Sequence, residues 1–125
     1  MKFIWIILII FPSVSILAQE LSLEKLCAKW HLEGYTVTWI EYEPEKNEIN
    51  DYILLRDDMT FVSVDEGVYG TGTWRYDQIK NTFTLLNREK EELVFNVAEL
   101  TTEILVIRAE IAGILDVDIR FKKRN

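Results

Sequence analysis

The stretch from Asp57 to Tyr76 constrains this chain more than any other. Met59 to Val64 is rich in β-branched and apolar residues, and Asp65-Glu66-Gly67 carries turn chemistry. Val68 to Tyr76 then returns with Gly70, Gly72 and Trp74. Two such segments around a short connection containing glycine read as antiparallel strands joined by a tight turn. Segments of the same kind recur downstream. Nothing between them is long enough for the helix that a parallel crossover needs, so the chain is committed to an all-β fold.

Four strand segments come first: Thr36 to Ile40, Asp51 to Arg56, Met59 to Val64 and Val68 to Tyr76. Four more follow: Thr82 to Leu86, Leu93 to Ala98, Glu103 to Arg108 and Ile114 to Phe121. Turn-forming stretches separate them, among them the charged Glu41 to Asn50 with Pro44, Asp77 to Asn81, Asn87 to Glu91 and Ile111-Ala112-Gly113. One helix precedes the strands, over Leu21 to Ala28. Ser22 can cap it and Glu24 sits in its first turn. Leu23, Leu26, Cys27 and Trp30 form its apolar stripe. Two helical turns are not stable alone in water, so this helix must lie against something. Short connections favour pairing of consecutive strands, and closure removes the edges of an open sheet. The expected fold is an eight-stranded antiparallel up-and-down β-barrel with the short N-terminal helix capping one end.

Alternation assigns faces. Leu115, Val117, Ile119 and Phe121 alternate with Asp116, Asp118 and Arg120, so the first set faces in. Val68, Gly70, Gly72, Trp74 and Tyr76 share an inward face by the same rule. Met59 with Phe61, Phe83 with Leu85, and Leu93 with Phe95 and Val97 complete the lining. The segments at Asp51 to Arg56 and Glu103 to Arg108 are apolar on both faces, which hides their register.

The N-terminus differs from the rest. Met1-Lys2 supplies a positive charge, Phe3 to Phe11 is unbroken apolar sequence, and Ala18-Gln19-Glu20 begins a polar body. This is the pattern of an export signal, expected over residues 1–18 with cleavage after Ala18 or Gln19. The apolar run falls short of the ~20 residues of a comfortable membrane span. The expected mature domain, residues 19–125, is then exported to a periplasmic or extracellular space and does not span the membrane. The formal charge is −7, and losing Lys2 makes it one unit more negative. That acidity argues against nucleic acid and anionic membrane surfaces, both of which need a basic face. Cys27 is the single cysteine, so no internal disulfide forms and the fold rests on its core.

Catalytic and metal chemistry find little support. The glycines at 67, 70 and 72 run into a strand rather than a helix, which a phosphate loop requires. Cys27 and His31 give two metal ligands where zinc needs three or four. Asp57/Asp58 and Asp65/Glu66 are turn pairs, and Asp116/Asp118 face outward. Neither arrangement is the pair of inward carboxyls that glycosidase chemistry needs. No catalytic residue, cofactor or metal is expected. A cavity is the remaining candidate. Phe61, Trp74, Phe83 and Phe95 could line an apolar pocket, and an inward Arg56 or Arg108 could meet a ligand carboxylate. The alternative is that the large rings simply fill the barrel.

Three groups of residues now support a family resemblance. They are Leu26-Cys27-Ala28-Lys29-Trp30-His31-Leu32, then Asp57-Asp58-Met59-Thr60-Phe61, then Gly72-Thr73-Trp74 with Phe83-Thr84-Leu85. In this order and spacing the chain resembles the lipocalin-like domains of small secreted bacterial proteins, over about residues 21 to 122. Met59 stands where that family has a turn glycine, and Ala28 where animal lipocalins have the Gly of Gly-x-Trp. The resemblance implies a calycin-type barrel that binds small apolar ligands or other proteins. The expectation is a monomeric, non-enzymatic binding protein for a small hydrophobic ligand. The alternative is a protein-binding barrel, a hydrolase inhibitor or accessory subunit, working through open-end loops such as Glu41 to Asn50.

Overall fold

A computed structural model describes residues 22–111 and 115–124. The export signal expected at residues 1–18 lies outside them, as does part of the turn expected at Ile111-Ala112-Gly113. The strands are β1 (Lys29–Val37), β2 (Ile40–Tyr42), β3 (Tyr52–Leu55), β4 (Thr60–Asp65), β5 (Val68–Asp77), β6 (Thr82–Asn87), β7 (Glu92–Leu100), β8 (Ile104–Ile111) and β9 (Leu115–Lys123). From β3 to β9 each strand pairs antiparallel with the next. The lower part of β1 pairs with β3, and β9 runs along its other side. The sheet thus closes as an eight-stranded up-and-down barrel, with the three-residue β2 beside the upper part of β1. No helix among the described residues is long and apolar enough to cross a membrane.

The N-terminal region departs from the sequence expectation. Helical structure covers residues 22–26, and Trp30 stands on β1 rather than on a helical stripe. Its indole Nε1 donates to the Leu26 carbonyl at 2.9 Å, which ties the helical turn to the strand. The first strand begins at Lys29, not Thr36. Its register slips between Leu32 and Gly34, so Glu33 is the extra residue of a bulge. The bulge keeps both Leu32 and Tyr35 on the core side. Their spacing of three residues mimics helical rather than strand periodicity. Ile40 belongs to β2, reached through Thr38 and Trp39 at φ 50° and 72°. Two consecutive left-handed residues make the turn whose twist matches a hairpin. Thr and Trp carry none of the usual turn chemistry, which is why the hairpin is invisible in the sequence.

One end of the barrel is filled. Leu26 from the helical turn packs with Trp30, Leu55, Trp74, Phe83 and Leu105 in the core. The Trp74 indole donates to the Arg56 carbonyl at 2.8 Å, fastening β5 to the β3–β4 turn. In that turn Met59 takes φ 68°, the conformation a glycine would adopt at its place. Asn81 closes the β5–β6 turn: its Nδ2 donates to the Val97 carbonyl at 3.0 Å, and its Oδ1 accepts the Tyr76 hydroxyl at 2.9 Å. The short helix therefore does cap the filled end. At the opposite end Val68, expected to face in, is exposed because its strand runs past the rim of the core, whereas Leu93, though half-exposed, lines the interior as expected.

Candidate functional site: a cup at the open end

The barrel interior is not filled throughout. Above Leu32 and Phe121 a cup of about 200 Å³ remains, toward the end that carries the β1–β2 hairpin and the β4–β5 and β6–β7 turns. Strand pairing explains its position. The large rings come from residues near the helix-capped end, and the inward places beyond them are held by smaller side chains. Leu85, Ile107 and Ile119 form most of one wall, with Phe95 and Tyr35 above them. Asp51, Ser63 and Asp65 line the β3–β4 side, where Ile53 pairs directly with Ser63. Among the described residues no Lys, Arg or His lines the cup.

The residues singled out in the sequence divide by position. Phe61, Trp74 and Phe83 lie in the filled end, almost fully buried, and act as core. Phe95 alone of the four aromatics reaches the cup, stacked at a tilt on Phe83 with ring centroids 5.4 Å apart. The two arginines are not inward. Arg56 is exposed in the turn at the filled end. Arg108 projects from the outer face, where its Nε donates to Asp118 Oδ1 at 2.8 Å and its Nη2 to Oδ2 at 3.2 Å. Alternation predicts this once Leu105 and Ile107 are known to face in. The doubly apolar segment hid that parity.

Asp51 is the polar residue the sequence reading missed. It is only 6% exposed, just before β3, where its carbonyl accepts the Leu32 amide at 3.0 Å. Its Oδ1 accepts the Glu66 amide at 2.9 Å, so it pins the β4–β5 turn to the cup. Burial pushes its carboxyl above the ordinary value, and Asp65 and Glu48 push the same way, while the Glu66 amide pulls it down. Beside it the Tyr35 hydroxyl donates to Glu48, which lies in a single 3-10 turn (Lys46–Glu48) of the long loop. Burial, reinforced by that bond, holds the Tyr35 phenol far above its usual range. The loop is thus tethered to the rim at Tyr35.

A raised carboxylate pKa destabilises the charged form in the fold. Stability linked to Asp51 is therefore present below its unfolded pKa and is lost as pH rises through the folded value. Asp51→Asn keeps an oxygen for the Glu66 amide and removes the titration. Urea midpoints measured across the acidic-to-neutral range should fall less steeply with pH in the variant than in the parent. An unchanged pH slope would contradict this assignment.

Among the described residues no three His, Cys, Asp or Glu side chains come together in a metal-binding arrangement. Residues 26–107 match the family model of the lipocalin-like domain. A crystal structure of a lipocalin-like protein from Bacteroides uniformis ATCC 8492 superposes with a TM-score of 0.59 at 14% identity. The match covers 80% of this chain and 99% of that one, and at this identity it speaks to the fold alone. No curated protein matches the chain.

Proposed function

The chain belongs to the lipocalin-like domain family, and from that premise we propose that it is an exported, non-catalytic binding protein which holds a small hydrophobic molecule in the open-end cup. The observation that carries this reading is the asymmetry of the interior. One end is packed with rings, and the other keeps an apolar-walled space lined by Ile53, Leu85, Phe95, Ile107 and Ile119. Eight-stranded barrels are just wide enough to hold one small ligand when side chains do not fill them. The space is smaller than the roughly 300–1,000 Å³ of drug-sized sites, so the ligand is short or only partly enclosed. Export rests on the leader-like pattern of residues 1–18.

N-phenyl-1-naphthylamine, an uncharged lipophilic fluorophore at neutral pH, tests this reading. Titration of the purified protein should give saturable, one-to-one enhancement. Ile119→Trp, which puts a large ring into the cup, should weaken that binding at least tenfold. Binding that never saturates, or that survives Ile119→Trp unchanged in a folded variant, would refute the assignment.

A second reading, recognition of a protein partner by the open-end loops, draws on Trp39. It is 95% exposed at the hairpin tip and sits in a left-handed conformation that a Trp rarely adopts. Large exposed aromatics in such places anchor interfaces. Under this reading Trp39→Ala abolishes co-purification of a defined partner and leaves fluorophore binding intact.

A further inference from the structure

The cup has two chemically different walls. Its apolar wall accepts a hydrocarbon body of either charge class. Its polar side is Asp51, Ser63 and Asp65, and among the described residues no basic side chain lines it. Asp51 is held in place by the Glu66 amide on Oδ1, and the Asp65 carboxyl lies beside it. The arginines that would have received a ligand carboxylate are elsewhere. Arg108 is engaged by Asp118 on the outer face, and Arg56 is in the turn at the filled end. A fatty acid in this cup would present its negative head to two carboxylates with no counter-charge, in a partly desolvated place where such repulsion is strong. An ammonium group would instead find two acceptors and a hydroxyl, and would make charge-assisted hydrogen bonds. The absence of a three-ligand cluster among the described residues points away from a divalent metal and toward an organic cation.

We propose that the cup selects a small hydrophobic amine, with its apolar body against Ile107, Ile119 and Phe95 and its cationic nitrogen between Asp51 and Asp65. This rests on the reading of the cup as the ligand site and adds the head group to it. Asp51 and Asp65 are specificity residues, and the apolar wall supplies the sequence-independent part of the affinity.

Calorimetric titration of the purified protein at pH 7 with hexylamine, 1-hexanol and hexanoate separates the two levels. The body is the same in all three, so only the head differs. Hexylamine should bind at least tenfold more tightly than 1-hexanol, and 1-hexanol more tightly than hexanoate. Raising the salt concentration should shrink the amine's advantage and leave the alcohol unaffected. In Asp51→Asn/Asp65→Asn the advantage of the amine over the alcohol should fall below threefold while alcohol binding stays. If the double variant fails to fold, Asp65→Asn alone, at the exposed rim, should cut the advantage by more than half. Equal binding of amine and alcohol, or a preference for hexanoate, overturns the head-group assignment and leaves the cup as a ligand site. Failure of all three ligands and of the fluorophore removes the cup reading itself, and this proposal with it.

Discussion

Replacing Trp74 with alanine is expected to lower the free energy of unfolding by about 3–5 kcal/mol, the usual cost of deleting a large core ring. The ring is 3% exposed among Leu26, Trp30 and Phe83 in the filled end of the barrel. Its Nε1 bond to the Arg56 carbonyl also fixes the β3–β4 turn, and the Ala variant removes it, leaving that carbonyl with the Met59 amide alone. Domains of this size are stable by only about 5–15 kcal/mol, so the variant stands near the limit of folding. Urea denaturation monitored by the remaining tryptophans measures the loss. Trp74→Phe separates the two contributions: it keeps much of the ring and should cost about 1–2 kcal/mol, chiefly for the lost indole hydrogen bond. A Trp74→Ala variant that keeps full stability but loses fluorophore binding would place this residue in the ligand site instead of the core.

Gly72→Ala is the second large effect. Gly72 pairs with Phe61 on one side and Asn87 on the other. A Cβ there would sit far inside van der Waals contact with the Leu86 carbonyl oxygen and 2.9 Å from the Asn87 Cα. Both are backbone atoms of β6, so no side chain can turn aside. β5 and β6 must part where the barrel bends, and overpacking of that kind costs about 3 kcal/mol or more. Gly70→Ala provides the control. Its Cβ would meet only the Ser63 side-chain oxygen at 2.8 Å, which a rotamer change relieves. The expected result is a severe loss of stability for Gly72→Ala beside a mild one for Gly70→Ala. Equal effects would show that the two glycines serve curvature alike rather than a close approach at one of them.

Much of this architecture was legible in the residues. Strand β9 reads directly from Leu115, Val117, Ile119 and Phe121 alternating with charges, and Val117 and Phe121 are buried as alternation requires. The Gly72-Thr73-Trp74 landmark gave the fifth strand and its ring. β1 is hard to read because the bulge at Glu33 re-phases its core residues, so that Trp30, Leu32 and Tyr35 do not alternate. Thr38 and Trp39 hide a hairpin because their left-handed conformation is set by the strands they join, not by their own preference. The site was the least legible part. Aromatic content pointed to the ligand wall, but most of those rings are spent on the closed end, and only Phe95 reaches the cup. Asp51 and Asp65 look like ordinary loop acids in the sequence. Only pairing across β3 and β4 brings them to one wall.

The central claim is that this barrel is filled at the helix-capped end and receptive at the other. A methyl-resolved NMR titration with N-phenyl-1-naphthylamine tests it most directly. The account predicts saturating shifts at Ile53, Leu85, Ile107 and Ile119, which line the cup, and none at Leu26, Leu55 and Leu105 in the packed end. Shifts at Leu26, Leu55 and Leu105, or shifts confined to the outer face, would contradict it.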